Sequence, residues 1–518
     1  PMPLTCRRLN AARFRLETSD IPLGLADEIG AYAGFEYRTE AAFRAMLEAR
    51  LTPLQLLLNR ALLLEAALTG TSPKRFLWPG AVALAIGESA AGPLARAEAL
   101  GADLATWAAG VTVEDDRRAL VDPARGRVWL PEPVAEGEAL FALRHHVGLV
   151  APVGAGPFDR AAALAGDAEV TDTWPAGAVD PDGFFTDPGP VAGTALPATG
   201  TVRVPTSKTY VPAGLWVLTG DLAVEAADGE RPYIRLDAPE ADPAVTIDAG
   251  EGPRDLVLDG LWLGIRPDLA PVPLAAASDP CPVVPARLVL DGHFGRVVIR
   301  HCTLDPGGEQ ARTDPLACTP IPAVTLEIRG QVDRLLIDRC ITGPIAEATE
   351  TGDPCSARQI TVCDSIVQSI DPATPAITSR IAAVEILRST VFGDVTVNRL
   401  DASDTIVAGL VRVTDNQSGC FRFSATDAHP DRRLPRQYES HVIAPAIPAH
   451  AFVSRRLGDG AYAQLSPTAP PAILTGGENR AEMGVFNRRL LALRTADLEA
   501  KTREFLPFGL IAQQVFET

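Results

Sequence analysis

Lysine is almost missing from this 518-residue chain. Only Lys74, Lys208 and Lys501 occur, so arginine carries nearly all the positive charge. The net charge is −18 and no Lys/Arg-rich block interrupts it. Such a surface repels phosphate backbones, which argues against nucleic acid and against anionic membranes as general partners. Long apolar runs are absent too: no stretch of about 18 consecutive apolar residues exists, so no membrane span is expected. Aromatic residues make up only 6%. The eight cysteines lack paired CxxC spacing, which excludes the common zinc frameworks. Most are expected to be buried thiols, with a bridge among Cys281, Cys318 and Cys355 left open. No cofactor motif stands out. VGAGPFDR (153–160) contains GxG but lacks the strand–helix frame of a dinucleotide site, and reads as a turn.

Hydrophobic residues reach 47%, and there are 43 Gly and 45 Pro. That combination favours turn-rich β structure with a large core. Residues 1–185 read as an α+β region with a linker. RTEAAFRAMLEARLTPLQLLLNRALLLEAALTG (38–70) has helical spacing, WPGAVALAIG (78–87) reads as a strand, and DRRALVDPARGRVWLPEP (116–133) reads as a hairpin. Adjacent His145 and His146 point to opposite faces of a strand, so they cannot share a site.

From about 186 to 420 the pattern changes to many short strands. VVIRHCTLDPGG is followed by LLIDRCITGPI, ITVCDSIVQSI and VEILRSTVFGD. Aligning their small residues gives Cys302, Cys340, Ser365, Ser389 and Thr405, at spacings of 38, 25, 24 and 16. Recurrence at a near-fixed period with strand patterning marks a solenoid, whose coils bury apolar faces only by stacking. These five residues are expected to form one inward structural column, because larger side chains would push the coils apart. The expected fold is mainly β: a right-handed parallel β-helix with an N-terminal α+β domain. Residues 421–518 are expected to be a C-terminal extension, with an amphipathic helix over 486–506 capping the last coil and burying Leu490, Leu491, Leu493, Leu498 and Phe505.

Candidate chemistry is sparse. Asp259, Asp291, Arg300, His301 and Asp338 lie on the strand region, and their carboxylates are placed where neighbouring coils could align them. Paired carboxylates, or a carboxylate beside arginine, suit acid–base work on a sugar. Solvating side chains are the plain alternative. Asp459, Glu478 and Glu482 lie near glycines, but their spacing is too loose for a calcium loop. Helix capping suits them better.

The strand region resembles right-handed parallel β-helix proteins, the architecture of pectate lyases and phage tailspikes. VDPARGRVWLP, GAGPFDR, AADGERPYIRL, LDGLWLG, HCTLDPGG, GCFRFS and the long motif GDGAYAQLSPTAPPAILTGGENRAEMGVFNRRLLALRTADLEAKTREFLPFGL are similar to a bacterial family often encoded near phage-tail-like or contractile-injection genes. The resemblance runs from about 120 to the end. It implies a structural or binding particle component, baseplate-associated or fibre-like, without catalysis. It implies other particle subunits as partners, with a surface glycan or receptor and a homo-oligomer as further options. The leading residues PMPLTCRRLNAARF show no apolar secretory segment, so cytoplasmic synthesis and assembly into a particle acting outside the cell are expected. The alternative expectation is a polysaccharide lyase or hydrolase on the same fold.

Overall fold

The computed structural model describes most residues from 151 to 494, with the larger gaps at 175–190, 274–282, 308–316 and 349–355. It also describes isolated strands between 7 and 144 and scattered positions up to 501. The chain divides into two compact units. One comprises Pro1–Gly148, Arg312–Leu316 and Thr495–Thr518; the other comprises Leu149–Ala311 and Ala317–Arg494.

In the first unit, Ala83–Gly87 pairs antiparallel with Ala139–Arg144. Ala119–Asp122 pairs antiparallel with Arg127–Trp129 across the Pro/Gly turn, and parallel with Ala99–Gly101. The expected helices over 38–70, His145, His146, Cys6, Cys281 and Cys355 lie outside the described residues.

The second unit is mainly β, built from a 20-stranded and an 8-stranded sheet whose pairings are all parallel. The larger sheet consists of two ladders joined at a corner. Ladder A runs through Leu222–Ala226, Arg254–Asp259, His293–Arg300, Gln331–Asp338, Ser356–Cys363, Ala383–Leu387 and Arg399–Ser403. Ladder B runs through Tyr233–Asp237, Trp262–Arg266, Thr303–Leu304, Ile341–Thr342, Ile366–Gln368, Thr390–Phe392 and Ile406–Ala408. The 8-stranded sheet, ladder C, includes Ala244–Asp248, Val283–Asp291, Ile321–Ile328 and Val395–Val397. Successive rungs therefore visit A, B and C in turn.

Alternation explains why these segments are strands. Along Gln331–Asp338, Val332, Leu335 and Ile337 are buried while Arg334 is exposed. Leu256, Val297, Leu335, Ile360, Val384 and Leu400 are register partners on successive rungs, each at most 2% exposed. Burying each such side chain contributes about 1.5–3 kcal/mol, and none can do so without the rung above and below.

The A–B corner repeats one device. A residue with left-handed φ follows the ladder A strands from Arg254–Asp259 to Arg399–Ser403 (Gly260, His301, Arg339, Asp364, Arg388 and Asp404), and Phe423 takes the same place within Gly419–Asp427. For a residue with a Cβ this conformation costs about 1–2 kcal/mol. The next residue turns inward, and these are Leu261, Cys302, Cys340, Ser365, Ser389, Thr405 and Ser424. From Cys302 onward they form a bonded column. The Cys302 N–H points to Cys340 Sγ (3.4 Å), Cys340 N–H donates to Ser365 Oγ (2.9 Å), and Ser365 N–H donates to Ser389 Oγ (3.2 Å). Thr405 Oγ1 and Ser424 Oγ accept from the following two (3.5 and 3.1 Å). Small residues with an acceptor are needed here for two reasons: space, and an amide that ladder pairing leaves unsatisfied.

Three expectations about extent are corrected. The parallel stack does not stop at 420: Gly419–Asp427 and Gln437–Ile443 add further rungs. Part of the presumed N-terminal region belongs to the stack. Residues 149–174 fall in the second unit, and Trp174, 1% exposed, packs against Tyr210. Finally, the helix expected over 486–506 starts later and is not buried: the described positions between Leu491 and Lys501 are helical, and all but half-buried Leu491 are exposed. Asn487–Arg489 form a single tight turn ended by Leu490 at φ 52°, and Leu490 and Leu493 are exposed. Leu491 is half-buried, while the side chains of Leu498 and Phe505 lie outside the described residues. The segment 445–490 instead runs along the outer side of ladder B. Phe452, Tyr462, Ile473, Met483, Val485 and Phe486 cover Ile366, Phe392, Ile406 and Ala425, with Val153 in the same cluster. The cause is visible in ladder B itself: Ile366–Gln368 and Thr390–Phe392 are buried at every residue, so both faces need a partner.

Candidate functional site

The charged residues singled out on ladder A occupy one outward column. Arg203, Glu225, Asp259, Arg300, Asp338 and Cys363 are register partners on six consecutive rungs. Ladder pairing places side chains one rung apart, about 4.8 Å, so opposite charges meet without any special loop. Arg203 and Glu225 pair at 2.7 Å; Arg300 Nε and Asp259 Oδ2 pair at 2.8 Å.

Asp259 is the centre. It is fully buried, as is the Arg160 side chain, whose Nη1 lies 3.1 Å from Asp259 Oδ1. Arg160 Nη2 donates to the carbonyls of Ala226 (3.2 Å), Ala227 (2.8 Å) and Glu230 (3.3 Å). His301 lies on the other side, with Nδ1 3.4 Å from Asp259 Oδ1. Its Nε2 contacts Arg339 Nη1 at 3.1 Å. A guanidinium only donates, so His301 Nε2 accepts from Arg339. Burial alone would raise the Asp259 pKa. The His301 contact, Arg300 and Arg160 outweigh it, and the carboxyl is held below its ordinary range.

Local sequence makes this closure possible. Gly260 follows Asp259 at φ 74°, and a Cβ there would collide with the Arg160 guanidinium. Arg160 arrives on 151–166, which makes further contacts along the same column. Ala165 donates its N–H to Glu225 (3.1 Å) and accepts from Arg203 (2.7 Å), while the Ala163 carbonyl accepts from Arg300 (2.5 Å). The column is a docking track for residues 160–165.

The candidate catalytic set is thus partly assembled and closed. Asp259, Arg300 and His301 converge. Asp338 shares their column one rung on, but is engaged by Arg339 (3.2 Å) and accepts the Cys363 thiol (3.3 Å). Asp291 does not join them: it lies on ladder C opposite Asp248, and its carboxylate accepts its neighbour Gly292's N–H (2.8 Å). Acid–base catalysis needs a group within reach of the substrate, and Asp259 is roofed by Arg160. Cys302 is no nucleophile either; burial pushes its thiol up to about 12.

Of the metal candidates, the described residues place only two. Glu478 is exposed, Glu482 is buried, and Asp459 lies outside the described residues. Among the described residues, Asp338, Cys363 and Asp364 alone bring three ligand-type atoms within 4.8 Å of one another. Asp364 is already bidentate with Arg388 (2.8 and 3.1 Å), and burial followed by the Asp338 charge pushes the Cys363 thiol up to about 12. These groups fit a neutralised ion-pair cluster better than a cation site.

Two participants were not legible. Arg160 lies in a Gly/Ala-rich segment that reads as a turn. Asp404 anchors the C-terminal segment: its carboxylate accepts from the Glu478 N–H (2.6 Å) and Asn487 Nδ2 (3.4 Å), and its carbonyl accepts from the Gly484 N–H (2.7 Å). Tyr462 donates to Gln368 across the same interface.

No protein-family model, curated protein or solved structure matches the chain. Among the described residues, no helix is long and apolar enough to cross a membrane.

Proposed function

We propose that the three parallel ladders form a right-handed parallel β-helix, and that the protein is a rigid structural or binding component of a phage-tail-like, contractile-injection particle. Right-handedness is the preferred sense for crossovers between parallel strands. The particle context rests on the sequence resemblance alone. One observation favours a structural role over catalysis: the Asp259 carboxylate is buried under Arg160, and the charges around it hold residues 160–165 on the stack. A joint closed in this way suits transmission of load rather than turnover. Other particle subunits, or a surface glycan or receptor, would meet the long outer faces, and self-association is compatible with this role.

Purifying tail-like assemblies from the native host tests this reading. Co-purification of the chain, with matching density in negative-stain images, supports it; consistent absence from such assemblies contradicts it. Release of unsaturated or reducing products from polysaccharides by the purified chain would favour the lyase or hydrolase alternative.

A further inference from the structure

We propose that an open groove on the outer face of ladder A is a binding site for an oxyanion (carboxylate, sulfate or phosphate) carried by an extended ligand, with Arg334 at its centre. This deepens the binding reading above by naming the ligand chemistry, but does not depend on a particle.

The groove has a structural origin. On three consecutive rungs, two outward residues separate successive inward ones: Gly295–Arg296, Asp333–Arg334 and Arg358–Gln359, flanked by buried Phe294, Val332, Ala357 and Val297, Leu335, Ile360. The preceding rung lacks the extra residue, and the register shifts between Arg254 and Asp255. A bulge repeated rung upon rung opens a depression of about 590 Å³, which Asp255 and Ala383 also line. Its column of register partners, Asp255, Arg296, Arg334, Gln359 and Ala383, spans four rung steps. At about 4.8 Å per step that is roughly 19 Å, long enough for an extended ligand.

Charge decides what fits. The lining holds three arginines and two aspartates, a local balance of +1 on a chain of net −18. Arg296 pairs with Asp255 (3.2 Å), and Arg358 pairs with Asp333 (3.2 Å), which His293 also faces (3.4 Å). Arg334 is exposed and has no ion-pair partner among the described residues, although it sits in register beside Arg296. Like charges directly opposite on neighbouring strands are unfavourable. An oxyanion between them removes that repulsion, and a planar guanidinium offers it a two-pronged bond. Gln359, the next register partner, adds an uncharged amide donor. Among the described residues no aromatic side chain lines the groove, so a neutral sugar finds no ring there to stack on.

The test titrates the full chain with oligogalacturonate, inorganic sulfate, inorganic phosphate and neutral dextran by calorimetry, at low and high salt. The expected result is oligogalacturonate binding that weakens with salt. It should fall at least about tenfold in Arg334→Gln, with an unchanged circular dichroism spectrum, and stay unchanged in Arg399→Gln on the same face. Equal affinity for inorganic phosphate or sulfate, still lost in Arg334→Gln, would support the oxyanion site and assign it to a free anion. Binding no stronger than to dextran, or binding indifferent to Arg334→Gln, overturns the proposal. Absence of the chain from tail-like particles would leave it standing.

Discussion

Replacing Arg160 by alanine should loosen residues 151–166 from the stack while leaving the ladders assembled. The side chain is fully buried and makes one ion pair and three carbonyl contacts. Removing one member of a buried pair typically costs about 3–5 kcal/mol. Asp259 retains Arg300 and His301, so the lower end, about 3 kcal/mol, is expected for Arg160→Ala. Arg160→Lys should recover little, because one ammonium cannot reach both the carboxylate and the carbonyls. The double variant Arg160→Met with Asp259→Asn should lose less than the sum of the single changes, since no charge is then stranded. Acid should act on the same joint. The folded-state pKa of Asp259 is lowered, so its stabilisation is present above the unfolded value of about 3.9 and disappears as pH falls through the folded value. Denaturant unfolding gives the free-energy change, and limited proteolysis reports on 151–166. Wild-type stability and proteolysis in Arg160→Ala would refute the reasoning.

Further outcomes follow from the core, the corner and the C-terminal cover. Leu335→Ala, at a site 1% exposed between Val297 and Ile360, should cost about 2–5 kcal/mol in denaturant unfolding. Ser389→Leu should cost about 1–3 kcal/mol by overpacking, and more because the Ser365 amide loses its acceptor, whereas Ser389→Thr should be tolerated as Thr405 is. Asp404→Ala should raise hydrogen exchange over 476–490, because the amide of Glu478 and the side chain of Asn487 lose an acceptor; each unmade bond costs about 1–3 kcal/mol.

How far the sequence reveals this structure depends on whether a feature repeats. The inward column is legible because each corner needs a small side chain, so Cys302, Cys340, Ser365, Ser389 and Thr405 recur where a reactive cysteine would not. Ser424 escapes notice because it sits inside the continuous strand Gly419–Asp427. The left-handed residue before each small one is hidden for another reason: His301, Arg339, Asp364, Arg388 and Asp404 share a conformation but not a chemistry. Asp259, Arg300 and Asp338 can be paired by strand register, whereas Asp291 cannot, because its strand lies on another ladder. The two covering segments are not legible. Arg160 and Asp404 act over separations of 99 and 74 residues, and nothing periodic marks either one. The exposed leucines near 490 show the opposite failure, a helical spacing that mimics a buried face.

The stacking of rungs in register is the central claim, and a distance measurement tests it most directly. Asp255, Arg296, Arg334, Gln359, Ala383 and Arg399 are successive register partners on the outer face of ladder A, so Asp255 and Arg399 stand five rungs apart. At about 4.8 Å per rung the separation is about 24 Å. Spin labels on Asp255→Cys and Arg399→Cys, in a chain whose other accessible cysteines are replaced by serine, should give one narrow population near that distance by pulsed electron paramagnetic resonance. A broad distribution, or a distance beyond about 40 Å, would contradict a stack built at the rung spacing of paired strands.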